Sequence, residues 1–339
     1  MPQDCQEDTM PDVMLRFDMR QPEIAKTSQA DLYQAAIEMC EWGDTNNIGS
    51  VHLSEHHGSP DGYCPSPLVL ASAIATRTQS MRIFISALIA PLHDPVRLAE
   101  DLAVLDIISR GRVIPVVSGG YREEEFIAVG KDLSVRKKYM DDIGPFLKKA
   151  WSGEAFEYEG RAITITPKPF SQPRPMILMG GSSKPAARRA ARDSDFFIPS
   201  GPEIFEYYRE ALKALGKPDP GPMPSAPSTV TFVSEDPDAY WERIAPHVLH
   251  ETNMYADWAE KAQVFSPYKH FDSSDDLRSS RAYKVYRPQE LIDAARDMVG
   301  AQPIMFHPLC GGIHPDLAWS SLHLFMDEVM PILREEGVA

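Results

Sequence analysis

The chain has 339 residues, 43% hydrophobic and 24% charged, an ordinary soluble balance with ample material for a large core. Its formal charge of −15 argues against a nucleic-acid backbone or an anionic membrane as partner, since both are met with basic patches. The four scattered cysteines (Cys5, Cys40, Cys64, Cys310) include no Cys-x-x-Cys, so neither a disulfide framework nor a zinc site is expected.

Residues 1–12 are acidic and lack the basic and apolar regions of a secretory leader. The longest apolar run, 83–92, is too short to span a bilayer, so a cytoplasmic protein with reduced thiols is expected. A branched run at 13–19 predicts the first strand. Leu32, Ala35, Ala36, Met39 and Cys40 recur on one face of a helix over 29–42. A second strand, 48–53, runs into Glu55-His56-His57 and then Gly58-Ser59-Pro60, where strand gives way to loop. Ser66 is the expected cap of a helix over 67–76 that starts at Pro67. The near-continuous apolar run 81–90 reads as a strand buried on both faces. Asp94 caps the next helix, with Leu98, Leu102, Leu105 and Ile108 inward and Gly111 as its stop. The fourth strand is 112–118, closed by Gly119-Gly120, and a helix spans 135–151.

There the rhythm breaks. Segments 155–158 and 162–166, turning at Glu159-Gly160, predict a β-hairpin, and a proline-rich linker leads to a fifth strand at 176–179. A helix (185–192), a sixth strand (196–198), a helix (203–215) and a seventh strand (228–233) follow. Two helices, 239–250 continuing toward 265 and 288–299, flank a stretch around 266–286 expected to be irregular. The eighth strand is 303–307 and the last helix 315–333. Eight strands, each followed by helical sequence, predict an α/β fold, a (β/α)8 TIM barrel with insertions after strands four and seven. It would be one domain over 1–339, with a tail (1–12), a hairpin and Pro-rich insertion (152–175) and a second insertion (250–287).

In α/β proteins chemistry is placed at the C-terminal ends of strands, where Glu55, His56 and His57 fall. Histidine is the side chain that most readily moves protons near neutral pH, and the neighbouring Glu55 would orient the His56 ring. Read alone, one of the two histidines would cap the loop and the other would face water.

The further motifs fall in a telling order. Glu55-His56-His57 follows strand two, and the run from Ala90 to Asp101 follows strand three. Leu105-Asp106 and Ser109-Arg110-Gly111-Arg112 lead into strand four, Gly180-Gly181-Ser182-Ser183 follows strand five, and Ala190-Ala191-Arg192 lies beyond. On this set the chain resembles the bacterial luciferase-like monooxygenase family over nearly its whole length, to Cys310-Gly311-Gly312. The resemblance implies that His56 stands beside the reactive edge of a flavin as proton donor or acceptor. His57 is divided between loop structure and substrate contact. A cis peptide between Ser86 and Ala87 would lie under the ring; read alone, these two residues pack a tight interior. Gly180, Gly181, Ser182 and Ser183, ahead of a helix, would hold the flavin phosphate, although such a run alone is usually a plain loop. Gly119 and Gly120 would join them, and Tyr121 would close over the phosphate or ring. Arg136 is either the phosphate's charge partner or a solvated helix-face arginine. One departure stands out: strand four lacks the family's Gly-x-Gly, and Gly119 stands where some relatives carry an arginine. Phosphate binding then leans on Ser182, Ser183 and Arg136, or the cofactor differs.

The function implied is a monooxygenase that takes reduced FMN, as a co-substrate from a separate reductase, and O2 to oxygenate a small organic substrate. No Gly-x-Gly-x-x-G follows a strand, so the chain is not expected to reduce its own flavin. A deazaflavin-dependent oxidoreductase that transfers hydride without O2, and a non-catalytic flavin-binding barrel, stay open as alternatives. A homodimer is implied through helices 67–76 and 96–108, where Leu68, Leu70, Ile74, Val96 and Val104 exceed the needs of one core face.

Overall fold

Apolar runs can enter a core only if their backbone N–H and C=O groups are paired, and here parallel ladders take them up. A computed structural model describes residues 13–225, 227, 229–298 and 303–336. The expected tail 1–12 with Cys5, the start of the expected seventh strand at Ser228 and the end of the expected helix at Val299 lie outside these described residues. The strands are β1 (Val13–Phe17), β2 (Ser50–Leu53), β3 (Arg82–Ile89), β4 (Val113–Ser118), β5 (Phe156–Tyr158) and β6 (Arg161–Ile163). They continue as β7 (Leu178–Gly181), β8 (Phe196–Pro199), β9 (Val230–Val233), β10 (Tyr283–Tyr286) and β11 (Ile304–Phe306). The strands β5 and β6 form the expected antiparallel hairpin, turning through positive φ at Glu159 and Gly160.

The chain divides into two compact units, one made of residues up to Val51, Pro224–Tyr255 and those from Tyr268 on, the other of His52–Met223 and Ala256–Pro267. Within the first, neighbouring strands run β10-β9-β11-β1, with Val13 opposite Ile304. Within the second they run β3-β4-β7-β8, with Ile83 opposite Val113. The division falls inside β2. The register of β3 on β4 shifts between Ser86 and Leu88, and the Ser86–Ala87 peptide is cis.

The helix Gln29–Thr45 buries the five residues expected of it. The helix Pro95–Ser109 is capped by Asp94, whose carboxylate accepts from the Val96 and Arg97 N–H groups. Ile108, expected inward, is 40% exposed. A stripe through Leu98, Leu102 and Leu105 continues at Ser109, which is buried, and Ile108 lies a hundred-degree step off it. Ser66 precedes the helix Pro67–Arg77 without a side-chain capping bond.

Four further elements depart from expectation. The fifth strand sits two residues later, as β7, because Gly180 and Gly181 continue the ladder opposite Ile198 and Pro199. A short helix, Glu123–Ala128, precedes the helix Val135–Ala150. The stretch expected to be irregular holds a helix, Ser274–Ser280, and strand β10, whose Tyr-Lys-Val-Tyr pairs with all of β9. The last helix is broken: Pro315–Leu324 passes through a π-helical turn at Phe325–Val329 before Met330–Glu335. Pro331, without an N–H and crowding the preceding turn, accounts for the widening.

One small cluster positions the functional region. Ile89, Leu92 and Phe126 are buried together, with Leu133 packed against them. Gly120, at φ 66°, is pressed onto this cluster so closely that a Cβ there would stand 2.6 Å from Ile89 Cγ2. Phe126→Ala should lower the free energy of unfolding by about 3–5 kcal/mol in denaturant titrations, the range for a fully buried aromatic. A loss below about 1 kcal/mol, the ordinary effect of a substitution, would mean that the cluster does not brace the region.

Candidate active site

The end of β2 carries the chain through Ser54, whose hydroxyl donates to the Ser86 carbonyl at 3.0 Å, to Glu55, which is 2% exposed. A carboxylate so buried needs donors, and Glu55 has three. Its Oε1 lies 3.0 Å from His57 Nε2 and 2.8 Å from His93 Nε2, and its Oε2 accepts the Ile89 backbone N–H. Burial alone would raise this carboxyl, but the hydrogen bonds from the two imidazoles and the amide hold it down at about 2. The same contact raises His57 above its ordinary value, partly opposed by the ring's own burial.

Glu55 is therefore not the partner of His56, contrary to expectation. His56, 8% exposed, places Nδ1 2.8 Å from Glu125 Oε1. That oxygen also accepts the His57 backbone N–H (3.0 Å) and Arg122 Nη1 (3.0 Å). An oxygen receiving two N–H donors acts as acceptor toward the third, which places the His56 ring proton on Nδ1. Glu125 Oε2 is buried with no hydrogen-bond partner among the described residues. Three aromatic rings surround the imidazole: Tyr63 and Trp258 with centroids at 4.9 Å, and Tyr121 at 5.7 Å. Arg122 lies over the Trp258 ring at 4.0 Å and also bonds the His57 carbonyl, so the cation–π stack and Glu125 brace the same loop. Lys261, one turn beyond Trp258, pairs with Glu124.

The residues expected around a phosphate gather at the ends of β4 and β7. Arg136 is half-buried and donates from Nη1 to the Gly120 carbonyl at 2.9 Å, so it is not a freely solvated helix-face arginine. A side chain at Gly180 would collide with Ser118 Oγ, and one at Gly181 with Ala186. Ser182 and Ser183 are exposed just before the helix Lys184–Asp193, and Ser183 Oγ accepts from the Ala186 N–H at 3.4 Å. A hydroxyl that accepts still has a proton to donate.

Glu55, His56, His57 and Tyr121 are thus brought together, and Gly119, Gly120 and Arg136 meet at the end of β4. Ser86 is tied to the β2 end through Ser54. Sequence reasoning missed Glu125, Arg122, His93 and Trp258. Glu125 carried a faint signal, since three acidic residues ahead of Phe126-Ile127 suit a helix first turn. His93 stood inside the motif after β3 without a role. Nothing local marked Trp258.

Residues 18–301 match the family described as luciferase-like monooxygenase. A flavin-dependent trigonelline monooxygenase, oxygenase component, of Acinetobacter baylyi is 30% identical over 181 residues, 51% of this chain and 48% of that protein. An FMNH2-dependent dimethylsulfone monooxygenase of Pseudomonas putida is 28% identical over 43% of this chain and 41% of its own. The chain spans about half the length of these curated relatives. The solved structure of the monooxygenase RslO1 from Streptomyces bottropensis superposes with a TM-score of 0.71 at 21% identity, over 94% of this chain and 99% of that one. That likeness establishes the fold class as the (β/α)8 barrel.

Glu125→Ala would leave a buried guanidinium and a buried imidazole without their shared acceptor, and a loss of about 3–5 kcal/mol in unfolding free energy is expected. A loss within about 0.5 kcal/mol, typical of a surface change, would show Glu125 to be no organiser. The Glu55–His57 pair should act within a defined pH window. Glu55's contribution is present above its ordinary 4.5 and is lost as pH falls toward about 2. His57's is present below its ordinary 6.5 and is lost as pH rises through its raised value. The melting-temperature gap between wild type and His57→Gln should therefore be widest between those two ordinary values. A gap independent of pH would count against the pairing.

Proposed function

Since the chain belongs to the luciferase-like monooxygenase family, we propose that it is a flavin-dependent monooxygenase. In this reading it takes reduced FMN from a separate reductase and, with O2, oxygenates a small organic substrate. The observation that carries this reading is the buried His56 ring, held through Nδ1 by Glu125 at the end of β2. The name of the Acinetobacter relative, an oxygenase component, supports both the flavin and the separate reductase, and that of the Pseudomonas relative supports reduced FMN. Those names favour oxygenation over deazaflavin hydride transfer or passive flavin binding.

Reduced FMN, when bound, supplies the electrons that activate O2. The residues present fit it. Gly119 and Gly120 offer backbone, Arg136 a cation beside them, and Ser182 and Ser183 exposed hydroxyls before a ten-residue helix where an anion is favoured. Gly180 and Gly181 present main chain where larger residues would collide, and Ser86 and Ala87 are small, half-buried residues. His56 Nε2 is the proton-moving atom, kept in one tautomer by Glu125, while Tyr63, Tyr121 and Trp258 exclude water from the ring. Glu55 positions His57, the proposed substrate contact.

Pairing of two copies is proposed through the helices Pro67–Arg77 and Pro95–Ser109. Leu70 and Ile74 belong to the core, and the apolar surplus consists of Val69 (71% exposed), Val104 (43%), Ile107 and Ile108. No helix among the described residues is long and apolar enough to cross a membrane. A cytoplasmic location is in keeping with Cys40, Cys64 and Cys310, which are in no disulfide among the described residues.

His56→Ala should reduce turnover about 10²-fold or more while FMN affinity, read by fluorescence titration, stays nearly unchanged. Full turnover in that variant removes His56 from the mechanism. Wild type without FMN binding or FMN-dependent turnover sinks the flavin reading itself. Sedimentation at micromolar protein should give a dimer that Val69→Glu dissociates, and a single monomeric species in wild type would exclude the pairing.

A further inference from the structure

The first unit buries a second group of ionisable side chains that the proposed chemistry does not use. Glu251, on the helix Pro237–Ala262, and His307 and Cys310, just after β11, are all fully buried. One donor atom from each lies within 4.8 Å of the other two. His307 and Cys310 are separated by Pro308 and Leu309, a His-x-x-Cys spacing of the kind ligands take when one turn supplies two. Gly311 and Gly312 complete that turn, both at positive φ, with Gly311 packed directly on the His247 backbone. A side chain at Gly311 would collide with the His247 backbone.

His307 Nδ1 is 3.4 Å from Glu251 Oε1, near the separation of two ligands that each lie about 2.0–2.2 Å from a tetrahedral metal. Among the described residues neither ring nitrogen of His307 finds a hydrogen-bond partner, although buried polar atoms are nearly always satisfied. Its far nitrogen, Nε2, faces Asp18 Oδ1 at 3.5 Å, and Asp18 is itself held by Arg20 Nε at 3.1 Å. A carboxylate behind the imidazole is the arrangement that orients a metal-bound histidine. Glu251 is steadied by Arg16 Nη2 at 2.9 Å and by the Tyr283 hydroxyl at 2.8 Å. Arg16 and Arg20 are thus matched by Glu251 and Asp18, so the Cys310 thiolate is the one further anion, and it offsets half the charge of a divalent ion.

We propose that Glu251, His307 and Cys310 bind a transition-metal ion of the zinc class as three of its ligands. One oxygen, one nitrogen and one sulfur donor select such an ion over calcium or magnesium, which take oxygen alone. The Cys310 thiol now donates to Glu251 Oε2 at 2.7 Å; as the metal–sulfur bond forms, that proton leaves to solvent. Because the site is fully buried, the ion enters as the chain folds.

The test is to express the full chain in minimal medium supplied with zinc or cobalt, exchange the buffer, and measure metal by mass spectrometry. About one equivalent of zinc per chain is expected, as for a structural site coupled to folding. The cobalt form should show a thiolate-to-cobalt charge-transfer band in the near ultraviolet. Cys310→Ser should lose the band and most of the metal, whereas Cys40→Ala, on the helix Gln29–Thr45, should keep both. Wild type that retains less than about a tenth of an equivalent, or whose cobalt spectrum lacks the thiolate band, overturns the proposal without any variant.

Discussion

A carboxylate removed from water must be surrounded by donors, and the arrangement around His56 follows from that demand made twice. Glu55 gathers His57, His93 and the amide of Ile89; Glu125 gathers His56, the amide of His57 and Arg122. The two nets share His57, one through its ring and the other through its backbone. The ends of β2 and β3 and the short helix after β4 are thereby joined around one imidazole. Low local dielectric strengthens each of these bonds, and it also makes each expensive to leave unmade. The His56 ring cannot turn away without stripping Glu125 of a donor.

Much of the fold was legible because periodicity is a local property. The helix over Leu32 to Cys40, the Asp94 cap and the strand that leads into Glu55 all follow from spacing and turn chemistry within a dozen residues. What escaped was non-local. Strand β10 is four residues long, and only its alignment with β9, some fifty positions earlier, makes it a strand. Gly180 and Gly181 read as loop because glycine ends strands more often than it continues them, yet β8 supplies partners for both.

The site shows the same division. The Glu-His-His string located the chemistry, but adjacency in sequence suggested the wrong pairing. Successive residues leaving a strand point in different directions, so Glu55 and His56 reach different partners. Glu125 lies 69 positions from His56 and becomes its neighbour only through the packing of Phe126 on Ile89 and Leu92. The second buried cluster escaped for a related reason. His307 and Cys310 are close in sequence, but Glu251 arrives from another helix, and a search for paired cysteines passes over a mixed donor set.

The double attachment at Glu55 bears on how this sequence can drift. Its Oε1 accepts from two imidazoles on separate loops, and its Oε2 from a main-chain amide that no side-chain replacement removes. Losing either ring leaves the carboxylate with two donors, whereas losing both leaves it with one. The harm is concentrated in the second change, so His57 and His93 are epistatic: each masks the absence of the other. Holding the Glu55 carboxylate does not by itself require both rings. Glu125 gathers its three donors onto a single oxygen, so the loss of His56 or of Arg122 is felt at that one atom.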